Sequence, residues 1–251
     1  MKKKLETYVG IATIVGVIIS AIALIPTFLQ VRTPETPTPV PTSIPVASPS
    51  IEKIAAELLI EAEKWPVQVE GFDPSVWTSS LLRSSWDGDL EITDDNKLRV
   101  QASYQGDSSS SVGMIVPVLN PVTDFYLNVE AIKVSGSPSY SLGLLFRNNS
   151  DVAYAFNIYE ADREYIIRLY YSEEDPLRNR IRTPLILPGE LNRITVVAQG
   201  SHFFFYINGK YIDDIVHEQV PKGNIGLQVS AEKGEEIIVD FTSFELRLPE
   251  G

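Results

Sequence analysis

The 251-residue sequence contains no cysteine and only two histidines, His202 and His217. Without cysteine there is no disulfide and no thiolate nucleophile, and two histidines leave little material for a metal site or a catalytic triad. Positive charge is also scarce: from residue 51 onward there are 17 Lys and Arg against 31 Asp and Glu, a net charge of −14. So acidic a surface repels a phosphate backbone, and nucleic acid is therefore excluded as an expected partner.

Charge is absent altogether from a long N-terminal run, Thr7 to Val31, which is rich in Ile, Val and Ala. A helix over most of this run rises roughly 33 Å, enough to cross a hydrocarbon core of about 30 Å. Lysines at 2–4 precede the run and Arg32 follows it, which favours a cytoplasmic N-terminus. Residues 1–32 are therefore predicted to form a cytoplasmic stub and a single-pass transmembrane anchor at the cell membrane. A cleaved signal peptide, cut after 21–23 (Ala-Ile-Ala), is the alternative, and both export the C-terminal domain.

Two further segments precede the domain. Residues 33–50 contain six prolines among Thr, Ser and Val, which predicts an extended linker reaching up to roughly 55 Å. Residues 51–65 place apolar side chains at helical spacing, with Glu and Lys between them, and Pro66 follows. This pattern predicts one short amphipathic helix. We interpret it as packed against the domain, and a short oligomerising stalk is the alternative.

From Val67 onward the sequence changes to short alternating segments separated by turn residues. The clearest stretch is 191–231, where apolar residues alternate in Ile194–Ala198 and again in Phe203–Ile207. Asn208-Gly209 follows, a pair that tolerates the positive φ of a type I′ turn, so the stretch predicts an antiparallel meander. About a dozen such strands predict an all-β domain over residues 66–251, a two-sheet antiparallel sandwich rather than a small barrel.

Six motifs between about Phe72 and Leu248 carry a family resemblance. They are Gly-Leu-Leu-Phe-Arg (143–147), Tyr-Ala-Phe-Asn-Ile (154–158), Pro-Gly-Glu-Leu-Asn-Arg (188–193), Phe-Tyr-Ile-Asn-Gly-Lys (205–210), Gly-Asn-Ile-Gly-Leu (223–227) and Val-Asp-Phe-Thr-Ser-Phe (239–244). With them the chain resembles the concanavalin A-like lectin/glucanase superfamily, and within it bacterial 3-keto-disaccharide hydrolase-like and laminin-G-like domains. The resemblance implies a concanavalin-like jelly roll with one concave sheet face, often used to hold sugars.

The sharpest catalytic candidates are Glu160, Asp162 and Glu164. They resemble the E-x-D-x-E motif of retaining glucanases in this superfamily, in which the three carboxylates serve as nucleophile, helper and acid/base. The motif lies between two predicted strands, Ala153–Tyr159 and Tyr165–Tyr171, so we interpret it instead as the hairpin loop that joins them.

Candidate ligand-binding residues lie on the strands that flank this loop. Asn157, Tyr159, Arg168 and Tyr170 share one sheet face if the loop holds an even number of residues, and Arg147 has the same parity on the neighbouring strand. Aromatic rings with Arg and amide donors suit the faces and hydroxyls of a sugar. The alternative is a solvated sheet face with no ligand.

Asp73 and Asp240 are candidates for a structural Ca²⁺ site, because related sandwiches often hold this ion at a sheet edge and hard oxygen ligands suit it. A plain turn or surface role is the alternative, and no other cofactor is expected.

These observations predict a membrane-anchored extracytoplasmic module that binds carbohydrate or another cell-envelope component without catalysis. A glycoside hydrolase acting through Glu160, Asp162 and Glu164 is the first alternative. An adhesion or sensor module that recognises protein is the second.

Overall fold

The computed structural model describes residues 49–77, 86–106, 110–115, 117, 119–149 and 151–250. The predicted anchor, and the linker as far as residue 48, lie outside these residues and stay predictions. Within the described ranges, no helix is long and apolar enough to cross a membrane.

One helix and fourteen strands make up the described part of the chain. The helix, α1, spans Ile51–Ala62. The strands are β1 Val67–Glu70, β2 Trp86–Ile92, β3 Leu98–Tyr104, β4 Ser110–Ile115, β5 Phe125–Gly136, β6 Ser141–Asn148, β7 Ala153–Tyr159, β8 Glu164–Tyr170, β9 Arg178–Arg182, β10 Asn192–Gln199, β11 His202–Ile207, β12 Lys210–Val216, β13 Asn224–Glu232 and β14 Glu236–Arg247.

The strands form two antiparallel sheets that pack face to face. The eight-stranded sheet has the order β12-β11-β10-β5-β14-β3-β2, with β1 pairing to one end of the long β14. The six-stranded sheet has the order β4-β13-β6-β7-β8-β9. Phe146 of the six-stranded sheet lies with its ring centroid 5.4 Å from Phe203 and 6.2 Å from Phe205 of the other sheet, inside one continuous core. The predicted jelly-roll sandwich is therefore confirmed.

The meander occupies one end of the eight-stranded sheet. Strands β10, β11 and β12 are neighbours, with Val196 opposite Phe205. Asn208 and Gly209 have φ angles of 49° and 73°, as a type I′ turn requires. The predicted meander of 191–231 is wrong in its last part, because β13 leaves this sheet and pairs with β4 and β6 of the other one.

Helix α1 packs on the outer face of the eight-stranded sheet, as interpreted from its pattern. The side chain of Ser50 caps its N-terminus, and Ala55 and Ala62 are buried against the sheet. The hydroxyl of Tyr206 donates to the carbonyl oxygen of Ala55 at 2.7 Å. The helix ends at Ala62 rather than at residue 65. The Glu63 N–H still bonds four residues back, but the N–H groups of Lys64 and Trp65 bond three residues back, which tightens the chain into a turn before Pro66.

Candidate functional site

The predicted catalytic motif forms the turn of a β-hairpin. Tyr159 at the end of β7 pairs with Glu164 at the start of β8, so the loop between them holds four residues. Arg163 takes a left-handed φ of 54° to close the turn. Because four is an even number, Asn157, Tyr159, Arg168 and Tyr170 do lie on one face of the sheet, as the sequence predicts. Of the three carboxylates only Glu164 lies on a strand, at the start of β8, whereas Glu160 and Asp162 lie in the turn.

Each carboxylate of the motif has a different environment. Glu160 is only 2% exposed and accepts hydrogen bonds from the Asn192 side chain at 3.3 Å and the Gly189 N–H at 3.4 Å. Burial, together with this carboxylate, raises the pKa of the Tyr140 hydroxyl. Asp162 is exposed at the loop tip, and Glu164 lies 3.7 Å from Arg180. Glu160 is therefore a buried hydrogen-bond acceptor for neighbouring loop residues.

The outer face of the six-stranded sheet carries a cluster of two amides and a phenol, here called the amide cluster: Asn157, Gln228 and Tyr170. Asn157 and Gln228 lie in one row across β7, β6 and β13, with Gly143 between them. A Cβ at Gly143 would lie 2.0 Å from the Phe156 carbonyl oxygen and 2.5 Å from Asn157 Oδ1, so only glycine fits against β7 beside this amide. Both amides donate to the Tyr170 hydroxyl, from Asn157 Nδ2 at 3.4 Å and from Gln228 Nε2 at 3.1 Å.

The amide cluster leaves polar atoms unpaired. Asn157 Oδ1 and Gln228 Oε1 are buried and have no hydrogen-bond partner among the described residues. Turning either amide over would exchange its oxygen for nitrogen and still leave one polar atom of that amide unpaired. Buried polar groups are nearly always paired, so these two atoms call for an ordered water, or for a ligand hydroxyl that displaces the side chains covering them.

Arg168 holds Tyr170 in place on this face. Its guanidinium donates to both carboxylate oxygens of Asp175, at 3.0 and 2.6 Å, and lies 4.9 Å from the Tyr170 ring centroid. The hydrogen bonds that Arg168 donates to Asp175 raise the pKa of Arg168, and burial raises the pKa of the Tyr170 hydroxyl. The arginine therefore stays charged and the phenol neutral.

A cavity of about 260 Å³ opens beside the amide cluster, and we call it the edge pocket. The Arg180 guanidinium carbon lies 3.6 Å from the Tyr159 ring centroid, with Asp162 at 3.6 Å and Glu164 at 3.7 Å from Arg180. The pocket is lined by Pro138, Ser139, Tyr159, Ala161, Asp162, Arg180, Ser230, Ala231 and Glu232.

Arg147 does not join this face, contrary to the parity argument. It has a left-handed φ of 45°, and the pairing of β6 with β13 is irregular at this end. Its side chain is buried, where it donates to the carbonyl oxygens of Thr123, Gly200 and Val220. The guanidinium also lies 4.6 Å from the Phe203 ring centroid. Arg147 thus ties three loops to the core.

The two carboxylates considered for Ca²⁺ are each engaged by protein donors. Asp73 accepts from the N–H and the hydroxyl of Ser75, both at 2.7 Å. Asp240 accepts from two nitrogens of Arg99 at 2.7 and 2.8 Å. In the described ranges, no group of three or more His, Cys, Asp or Glu side chains is placed to hold a metal. Ca²⁺ takes six to eight oxygen ligands, which include backbone carbonyls and waters, so a calcium site at Asp73 and Asp240 stays a prediction.

Comparison with known proteins identifies the fold. No family model and no curated protein matches the chain. Among solved structures, a carbohydrate binding module from Bacillus subtilis matches with a TM-score of 0.51 at 15% identity, over 68% of this chain and 99% of that one. A Bacillus licheniformis beta-glucanase matches with a TM-score of 0.53 at 7% identity, over 71% and 94%. The catalytic domain of an endo-1,3-beta-glucanase from Thermotoga petrophila gives 0.50 at 10%, over 75% and 99%.

The fold is the concanavalin-like jelly roll. Binding modules and hydrolases share it, so the likeness does not distinguish binding from catalysis.

Two residues of the site, Arg180 and Gln228, are not predicted from the sequence. Arg180 lies on β9, whose five residues are all exposed and show no apolar alternation, although arginines at 178, 180 and 182 recur with period two. Gln228 lies between Leu227 and Val229, which face the core. Its opposite parity on β13 was the signal that could have placed it on the outer face.

Proposed function

We propose that this sandwich is a carbohydrate-binding module that acts without catalysis, exported and held at the cell membrane by its N-terminal segment. The observation that carries the proposal is the pair of unpaired amide oxygens beside the Tyr170 hydroxyl. A sugar hydroxyl is a compact donor and acceptor that can complete such a cluster.

The apolar residues around the amide cluster are themselves buried. Leu145, Ala153 and Ala155 are at most 1% exposed and pack with the Tyr170 ring, which is in a residue 9% exposed, so they position the cluster and offer no open surface to a sugar ring. A sugar is favoured for a second reason, the fold itself. The solved structures that share the fold support this class of ligand, because one is a carbohydrate binding module and others are glucanases.

The position of the carboxylates argues against hydrolysis through the E-x-D-x-E motif. Glycoside hydrolysis needs one carboxylic acid and one carboxylate that flank the scissile bond, about 5–5.5 Å apart for retention and about 6.5–9.5 Å for inversion. Glu160 is buried and hydrogen-bonded to the Asn192 side chain, whereas Asp162 is exposed on the loop. The hydrolase stays the alternative that an assay must test.

A glycan array with a fragment spanning Ala47–Gly251 tests the binding proposal. This range forms one compact unit with its own core, so it can be studied alone. We expect binding to at least one glycan and, in calorimetric titration, about tenfold weaker affinity for Tyr170→Phe, which loses the hydroxyl that holds both amides. Tyr211→Phe removes a hydrogen-bonded hydroxyl from the opposite sheet and is the matched control.

A reducing-sugar assay on the bound glycan separates binding from catalysis. We expect no sugar release. Release by the wild type that disappears in Glu160→Gln and Glu164→Gln would replace the binding module by the hydrolase. An array without any bound glycan, together with capture of a protein from envelope extracts that Tyr170→Phe abolishes, would favour the protein-recognition module.

The anchoring proposal has a separate test. Three lysines before the uncharged run and one arginine after it motivate a cytoplasmic N-terminus. Protease added to intact cells or protoplasts should remove the domain. A domain that resists protease until the cells are lysed would reverse the proposed topology.

A further inference from the structure

We infer that the edge pocket selects an uncharged sugar unit with two adjacent hydroxyls, and that Arg180 and Asp162 are the residues that determine this specificity. The inference rests on the proposed carbohydrate-binding function and adds to it the chemical class of the sugar.

Arg180 is a donor that is held in place before any ligand arrives. Its guanidinium stacks on Tyr159 at 3.6 Å and is flanked by Asp162 and Glu164 at 3.6 and 3.7 Å. Yet no hydrogen bond of this guanidinium forms within the residues that the structure describes. A planar group with up to five N–H donors is thus fixed in orientation while its donors stay open to a ligand.

Acceptors stand beside this donor in the same cavity. Asp162 and Glu232 both line the pocket with Arg180. A sugar hydroxyl can accept from the guanidinium and donate to a carboxylate at once, and two neighbouring hydroxyls match the fork of donors on an arginine. Adjacent hydroxyls on one sugar ring therefore fit the alternation of donor and acceptor groups in the pocket.

Charge sets the second part of the specificity. Two carboxylates and one guanidinium line the pocket, so its formal charge is −1, within a chain of net charge −12. A uronic acid or sialic acid unit would bring its own carboxylate next to Asp162 and Glu232, and such like-charge contacts are unfavourable. The pocket should therefore reject acidic sugars that a lone arginine would attract.

The pocket and the amide cluster are placed to contact one ligand. Tyr159 follows Asn157 by two residues on β7, and Ser230 follows Gln228 by two residues on β13. Side chains two apart on a strand lie on the same face about 6.6–6.8 Å from each other. An oligosaccharide that runs along the strands would place one unit in the pocket and the next over the amide cluster.

Matched glycan pairs on one array test this specificity with the Ala47–Gly251 fragment. The pairs are neutral glucose- or galactose-based oligosaccharides and their uronic acid counterparts, which differ only at carbon 6. The wild type should prefer the neutral member of each pair. Arg180→Lys keeps the charge but loses the planar fork and the stack, and should bind the neutral ligand about tenfold more weakly. Asp162→Asn should raise the relative affinity for the uronic acid member about fivefold.

The control is Arg163→Lys, the same change at an exposed arginine that does not line the pocket. It should leave both affinities unchanged. Equal or stronger binding of the uronic acid glycans by the wild type would overturn the inference. So would loss of binding in Tyr170→Phe with no effect of Arg180→Lys and Asp162→Asn, and in that case the proposed function would survive alone. An array with no bound glycan would overturn both.

Discussion

The side-chain amide of Asn192 donates to the buried carboxylate of Glu160, with 3.3 Å between Nδ2 and Oε1. The same amide donates to the carbonyl oxygen of Leu187 at 2.9 Å, and its oxygen accepts from the Leu187 N–H at 2.9 Å. Glu160 thus connects the β7–β8 turn with the loop that leads into β10. A carboxylate that looks catalytic by spacing in the sequence is part of the support of the fold.

Removing this carboxylate should therefore affect stability. Glu160→Ala would leave the Asn192 amide and the Gly189 N–H without a buried acceptor, which should lower the free energy of unfolding by about 1–3 kcal/mol. Glu160→Gln keeps an acceptor oxygen and should cost less. Urea denaturation of the Ala47–Gly251 fragment measures both, and an Ala variant as stable as the wild type would contradict the structural role.

Phe205 should be among the most costly residues to truncate. It is fully buried, and its ring centroid lies 5.0 Å from that of Phe156 across the sandwich. Phe205→Ala should lower the free energy of unfolding by about 3–5 kcal/mol because it leaves a cavity between the sheets. Val216→Ala, at a position 64% exposed, is the control and should change stability by less than about 0.5 kcal/mol. Equal urea midpoints for the two variants would contradict the burial of Phe205 between the two sheets.

The turn at Gly209 depends on backbone conformation alone. Its φ is 73°, and a Cβ at this position would meet no atom within 4 Å, so any cost of substitution comes from backbone strain. Gly209→Val should lower the free energy of unfolding by about 1–2 kcal/mol, and Gly209→Asn by less, because Asn tolerates the left-handed region. Thermal melts of both variants rank their stabilities. A Val variant as stable as the Asn variant would contradict backbone strain as the source of the cost.

Most of the sandwich could be predicted because its strands bury one face and leave alternation in the sequence. Strand β7 matches the predicted Ala153–Tyr159, and the Asn208-Gly209 turn follows from local chemistry. Strand β9 could not be found in this way, since it lies at a sheet edge with every residue exposed. The placement of Arg147 failed because a single left-handed residue breaks the alternation of faces. Contacts made through tertiary structure, such as Arg180 on Tyr159, leave no local pattern.

Docking of α1 can be tested with two neighbouring alanines. Ala55 is fully buried against the sheet and Ala56 is exposed. Ala55→Glu would force a carboxylate into an apolar contact and should cost at least about 2 kcal/mol or release the helix from the sheet. Ala56→Glu changes the helix propensity by the same amount, but at a position that faces solvent. Its free energy of unfolding should lie within about 0.5 kcal/mol of the wild-type value. Thermal melts and limited proteolysis of residues 47–65 compare the stability and helix docking of the two variants. Equal melting temperatures and equal cleavage would contradict the packing of α1 on the eight-stranded sheet.

Lowering the pH should remove the stabilisation that the ionised carboxylate of Asp214 provides. Burial alone would raise the pKa of this carboxyl, but hydrogen bonds from Tyr211 and His202 outweigh burial and lower the pKa below 3.8. A carboxyl whose pKa is lower in the folded state than in the unfolded state stabilises the fold fully at pH values above its unfolded-state pKa. This contribution to the free energy of unfolding is lost as the pH falls through the folded-state pKa. Asp214→Asn should therefore cost about 1 kcal/mol near pH 5, and the difference from the wild type should shrink towards pH 2.

Urea denaturation at a series of pH values between these limits measures this difference. Asp94→Asn, at an exposed turn position, is the control, and it should show no difference from the wild type at either end of the range. A cost for Asp214→Asn that stays constant with pH would mean that the carboxylate charge contributes nothing. The cost would then come from hydrogen-bond geometry with Tyr211 and His202 that the Asn amide does not reproduce, whatever the charge of the carboxyl.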